Sequence, residues 1–391
     1  MSAVLELDPA VSPLAAWQTL AAQNGDIKPF LCFDRSGFKY GNRTNDWGKD
    51  EMARGELERP GGIVIPYVSR GRQTGRRSQQ QTLLAIDLPG GPGSVLTAQW
   101  KANSSPDQYR VTTANWRGVG DTTPFAALDG NTAEALVEDI EALRQASGLG
   151  PDEKVVLRGG SWGMTMAAAY AAACPDKVAG LVLGLPFLAR EVDFAHNYAA
   201  DGTLAKKYPD AYTEFMGQEN DPKGVLAMLA EEMGESDTQR VSVAFNRFTA
   251  WEYARNGEAF VPLENPDPQA VARARVLAHY SANQFFLGEN GIANTLQLLP
   301  DVPTIVMANS GDPLGASDTL AVMQRQMPKA EFYVYDANWH WVAKENERPD
   351  TGFDNRFVSE GYPYGMGRVG LAVTGKLNMK PGVYKYERPM V

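Results

Sequence analysis

From Gly62 onward, short apolar runs alternate with longer segments of helical period. Gly62 to Val68 (GIVIPYV), Gln81 to Leu88 and Tyr109 to Trp116 read as strands, being β-branched and aromatic runs bounded by Gly, Pro and polar residues. Val155 to Leu157, Val178 to Leu185, Thr304 to Ala308 and Glu331 to Tyr335 read the same way. Between them, Leu136, Ile140 and Leu143 fall at helical spacing behind Asn131 and Glu134, a pair like a capping box. Met164 to Ala173 is a small-residue helix stopped by Pro175. Strands alternating with helices predict an α/β fold, a mostly parallel sheet with helices on both faces.

The alternation is interrupted once. About 120 residues separate the strand ending near Leu185 from the one starting at Thr304, far more than a connection needs. They are rich in Ala, Glu, Met and aromatics at helical spacing and predict an inserted helical cap over 188–299. The expected division is a 1–60 N-terminal extension, a core of 61–187 and 300–391 that includes the C-terminal tail, and the cap. In the extension, Leu14 to Ala22 suits a short helix, Phe30 to Phe33 is strand-like, and Gly41 to Pro60 reads as loop.

Composition narrows the function. The 391 residues are 43% hydrophobic and 21% charged, ordinary for a globular chain with a large core. A net charge of −10 argues against nucleic acid as a partner, because phosphate contacts need clustered Lys and Arg. The one basic run, Arg70 to Arg77, lies between two strands and reads as a solvated loop. Cys32 and Cys174 do not make a disulfide framework, and Cys174 sits in an Ala-rich run like a small core residue. No apolar run is long enough for a bilayer, no leader is recognisable at the N-terminus, and cytoplasmic residence is expected. No metal cluster and no cofactor motif stand out, so the partner expected is a small molecule or short peptide.

Gly159-Gly160-Ser161-Trp162-Gly163 follows an apolar strand and opens the Ala-rich helix. G-x-S-x-G in that setting builds a sharp strand-to-helix turn that exposes the serine hydroxyl. A serine nucleophile needs a base, and the base needs an orienting acid. Of the three histidines, His340 follows the last strand, where such a base belongs, while His196 and His279 read as structural. Asp312 follows the strand Thr304 to Ala308 and is the candidate acid. Asp318 and Asp336 are rivals, Asp318 at a helix start and Asp336 close to His340 in sequence. An oxyanion hole would use the backbone N–H of Trp162 and one from Pro89-Gly90-Gly91-Pro92-Gly93, with Gly91 first and Gly90 second.

Two motifs lack their context. Gly365 to Gly370 matches G-x-G-x-x-G, and Gly370 to Lys376 matches most of a P-loop. Too little chain follows for a βαβ unit, and Leu377 stands where a P-loop needs a hydroxyl. The segment is read as a Gly-rich tail. Its aromatics (Phe353, Phe357, Tyr362, Tyr364, Tyr384, Tyr386) predict that it packs on the domain.

These residues, over roughly Gly62 to Lys344, resemble the proline iminopeptidases (prolyl aminopeptidases) of the α/β-hydrolase superfamily. PGGPG at Pro89 to Gly93 is similar to that family's HGGPG loop. NWRGVGDTTP at Asn115 to Pro124 is similar to its D-x-R-G-x-G-x-S segment. GGSWGMTMAAAY from Gly159 is similar to its nucleophile segment, FTAWE at Phe248 to Glu252 to a cap segment, and AHYSANQFF from Ala278 to a later one. The resemblance implies an α/β-hydrolase fold, a helical cap and cofactor-free release of N-terminal proline. It also implies that Glu252 holds the substrate's free amino group. The chain departs from the family pattern at Pro89, which replaces the loop histidine, and at Leu277, where a second cap glutamate is expected. Its tail also lacks the expected terminal helix. A serine hydrolase cutting an amide bond through an acyl-enzyme is therefore expected. The alternatives are a small-molecule esterase or amidase on this scaffold and a non-catalytic binding protein.

Overall fold

A computed structural model describes residues 52–71, 81–95, 108–148, 153–335, 340 and 362–385. The expected helix at 14–22, the strand at 30–33 and the rival acid Asp336 lie outside them, as does most of the basic run.

Nine strands form one sheet: β1 (Met52–Arg59), β2 (Ile63–Arg70), β3 (Leu83–Leu88), β4 (Tyr109–Ala114), β5 (Val155–Gly160), β6 (Val178–Gly184), β7 (Thr304–Asn309), β8 (Glu331–Tyr335) and β9 (Gly382–Lys385). Their order is β1-β2-β4-β3-β5-β6-β7-β8-β9. The β1–β2 and β2–β4 pairs are antiparallel, and every pair from β3–β4 onward is parallel. Side chains alternate across the parallel strands, and both faces are covered. Leu84, Ile86, Leu157, Leu181 and Leu183 enter one core, while Ala85, Val156 and Val182 enter the other. Both being apolar, these strands read as continuous runs in the sequence.

The larger core is filled by α1 (Ala133–Ala146) and α2 (Trp162–Ala173), the latter buried along its whole length. Six helices lie between β6 and β7: α3 (Glu191–Tyr198), α4 (Thr203–Lys207), α5 (Pro209–Met216), α6 (Pro222–Glu232), α7 (Thr238–Arg255) and α8 (Pro268–Ala282). They have a core of their own, in which Trp251 stacks on Phe215 with ring centroids 5.6 Å apart. Both ends of this insert meet where Glu191 N–H donates to Glu289 O and Ile292 N–H to Leu188 O. Arg190 ties it to the sheet, pairing with Asp193 and with Asp318 at the start of α9 (Thr319–Gln326). None of the helices among the described residues is long and apolar enough to cross a membrane.

Three readings of the sequence need correction. Residues 52–59, read as loop, form β1, because Leu57 has a buried slot opposite Ile65. The cap of α1 is Thr132, whose hydroxyl accepts from Ala135 N–H; Asn131 instead donates to Arg117 O and accepts from Tyr280. The Gly-rich tail contains α10 (Tyr362–Val373) and β9. Its glycines serve close packing: a Cβ on Gly370 would press on Tyr109, whose hydroxyl donates to Met366 O at 2.7 Å, and Val369 sits on Gly180. Cys174 is buried, as its Ala-rich run suggested.

Candidate active site

The serine lies at the hinge between β5 and α2. Ser161 has φ 54° and ψ −123°, the strained conformation of a nucleophile turn. Its neighbours are glycine for a visible reason. A Cβ on Gly159 would press into the Gly163 backbone, and one on Gly163 into the Leu88 and Pro89 carbonyls. The turn is thus wedged between its own helix and the end of β3, and Ser161 N–H is fixed on Gly184 O at 2.9 Å.

His340 and Asp312 come from loops after β8 and β7. His340 Nε2 lies 2.7 Å from Ser161 Oγ, and Nδ1 lies 2.7 Å from Asp312 Oδ2. A carboxylate only accepts, so Nδ1 carries the hydrogen and Nε2 is left to accept from the serine hydroxyl. Asp312 Oδ1 accepts from Leu314 N–H at 3.0 Å, which fixes the carboxylate. Of the rival acids, Asp318 is turned to Arg190.

The insert holds these loops from above. His196 donates to Pro313 O at 2.8 Å, Asn197 to Leu314 O at 3.0 Å, and Asn256 accepts from His340 N–H at 3.2 Å. The third histidine, His279, donates to Asn131 O. Burial lowers its affinity for a proton, and it stands away from the serine among Tyr280 and Phe286. His196 and His279 thus both meet backbone carbonyls rather than the serine.

Beside the serine, Trp116 Nε1 donates to the Pro89 and Gly90 carbonyls. In trans peptides the N–H groups of Gly90 and Gly91 then point the other way. A Cβ on Gly90 would lie 3.8 Å from that of Ser161. The Trp162 N–H opens α2 and belongs to the first turn, whose N–H groups have no partner within the helix.

Ser161, Trp162, His340 and the loop from Pro89 to Gly93 line a cavity of about 640 Å³ roofed by α3, α7 and α8. Phe194, Phe245, Phe248 and Leu277 make apolar wall, and Glu252 is the acid that α7 brings to it. Glu252 is not alone there. Its Oε1 accepts from Tyr198 Oη at 3.0 Å and pairs with Arg255, one turn on. Burial works against the Arg255 charge, but Glu252 outweighs it and raises the affinity for the proton. Tyr198, Asn197, Arg255 and Asn256 were not singled out from the sequence. The Glu252-to-Arg255 spacing of three on one helix was the available signal for that pair. No group of three His, Cys, Asp or Glu among the described residues could hold a metal ion.

The description "alpha/beta hydrolase fold" matches residues 86–347. The chain belongs to this family of α/β-hydrolases, and its relatives within it are proline iminopeptidases. The proline iminopeptidase of Arabidopsis thaliana is 34% identical over 64% of this chain and 67% of its own length. That of Neisseria meningitidis serogroup A is 30% identical over 64% of this chain and 81% of its own. The solved structure of the Mycobacterium smegmatis proline iminopeptidase is 17% identical, covering 82% of this chain and 98% of that one with a TM-score of 0.48.

Proposed function

We propose that this chain is a serine hydrolase of the proline iminopeptidase kind, cutting an amide bond next to a short acyl group. Ser161 Oγ attacks the carbonyl while His340 Nε2 takes its proton. Asp312 holds the ring and balances the imidazolium. The oxyanion that forms is met by Trp162 N–H and Gly91 N–H, with Gly90 as second choice. His340 then gives its proton to the leaving amine, and the acyl-serine ester is left for water to cleave by the same steps in reverse order. Glu252 faces the nitrogen end of the acyl group from the cap. In this reading residues 188–299 act as the cap, and 61–187 with 300–391 as the catalytic core.

The observation that carries the reading is His340 within 2.7 Å of both Ser161 and Asp312, in a cavity that Glu252 also lines. Ser161→Ala is expected to lower kcat on a proline arylamide by about 10⁴ to 10⁶ while leaving thermal unfolding unchanged. More than a tenth of the activity surviving would end the assignment. Leu277 in the cavity wall favours a second reading, an amidase or esterase for a less polar acyl group. An aryl ester turned over far faster than proline arylamide would select it. Cytoplasmic residence is part of the proposal.

A further inference from the structure

A buried carboxylate needs a counter-charge. In a site built to hold a free ammonium, the substrate brings it. Here the counter-charge is in place before any substrate arrives. Arg255 is 5% exposed and pairs with Glu252, its other nitrogen reaches Asn197 Oδ1, and its guanidinium lies 4.7 Å over the Tyr198 ring. Tyr198, which burial keeps protonated, adds its hydroxyl to the same Oε1. An ammonium reaching Glu252 would meet a fixed cation beside it, and like charges at contact distance repel. Leu277 lines the same cavity where the family resemblance would place a second cap glutamate.

We propose that Glu252 and Arg255 form a charge-balanced subsite that takes an acyl group whose α-nitrogen is uncharged, an unprotonated amine or an N-acylated nitrogen, rather than an ammonium. This rests on the hydrolase reading above and names its substrate class. Both of the contacts to Glu252 fall on Oε1. Oε2 is the acceptor left for an N–H, and the guanidinium side favours a carbonyl or a lone pair.

The other charged groups around the cavity do not restore an acidic character. Asp193 is taken by Arg190, Asp87 by Arg158 and Asp312 by His340. Arg273 stands exposed on α8 at the rim. Tyr253 and Ser281 bring no charge, Ser281 sharing a contact with Tyr198. His340 is the group in the cavity whose titration must be controlled for.

Calorimetry on Ser161→Ala reads the subsite without turnover. Prolinamide and N-formylprolinamide are titrated at several pH values and in buffers of different ionisation enthalpy. Prolinamide is expected to release close to one proton per site at pH 7. Its affinity should rise about tenfold per pH unit until its amine, near pH 8, is deprotonated. N-formylprolinamide, which has no ionisable nitrogen, should bind within tenfold of prolinamide at pH 7, and its arm reports any proton gained or lost by His340. In the same background, Arg255→Met should abolish the proton release, and Arg255→Lys, which keeps the charge, should retain it. Prolinamide binding that is flat with pH and silent in protons would overturn the proposal, as would the absence of binding by either compound. Whether Ser161 is a nucleophile is answered separately, by labelling the wild type with a fluorophosphonate.

Discussion

At the residue scale, the serine turn depends on absent atoms. A methyl group on Gly163 would meet the ends of β3, so Gly163→Ala must push the nucleophile helix away from the sheet. A loss of about 1–3 kcal/mol in unfolding free energy is expected, with activity falling much further than stability. Urea unfolding and fluorophosphonate labelling of one sample would check both, and an unaltered labelling rate would refute the wedge. The sequence made this residue legible because sterics leave glycine little alternative at a turn so tight. The proposed triad of Ser161, His340 and Asp312 was legible for a related reason: each follows a strand end, and strand ends are set by the apolar runs. Arg255 was not singled out, because its effect depends on Asn197 and Tyr198, which a distant helix brings to it.

At the element scale, the tail is fastened through one buried acid. Glu331 opens β8, is fully buried, and accepts from Arg368 on α10, from Lys380 N–H and from Tyr333. Burial pushes its proton affinity up, but these donors outweigh it and hold the carboxyl below the ordinary value. A depressed carboxyl stabilises the fold above its unfolded pKa, about 4.3, and that contribution is lost as pH falls through the lower folded value. Loosening of α10 and β9 is therefore expected below about pH 4.3, read as rising amide hydrogen exchange over 362–385. Arg368→Ala should cost about 3 kcal/mol at neutral pH, and less as the pH is lowered. An effect of the substitution that is independent of pH would contradict this role for Glu331. The helix itself escaped the sequence reading, because glycines at 365, 367 and 370 are poor helix formers. Packing against Tyr109 and Gly180 compensates, and tertiary contacts of that kind leave no local signal.

At the scale of the whole molecule, the proposed reading gives the chemistry to the sheet and the selection to the insert. The cavity is about 640 Å³, and Glu252, Arg255 and Tyr198 line it together with Ser161; in the proposed reading these cap residues take the nitrogen end of the acyl group and leave no place for chain before it. Peptides with proline at an internal position should remain uncut, while short arylamides are cleaved. Mass spectrometry of a peptide digest would decide, and internal fragments would overturn that reading. The insert was legible as a length anomaly between two strands, and the parallel sheet as an alternation. The antiparallel edge strand β1 was not, because its exposed face breaks the apolar run.

The pairing of Ser161 with His340 spans 179 residues of chain, with the whole insert between them. A ribosome adding roughly 5–20 residues per second needs on the order of ten to forty seconds to go from one to the other. Throughout that interval the nascent chain carries a serine without its base. In the proposed reading the serine gains its reactivity only after the whole insert and His340 have been made.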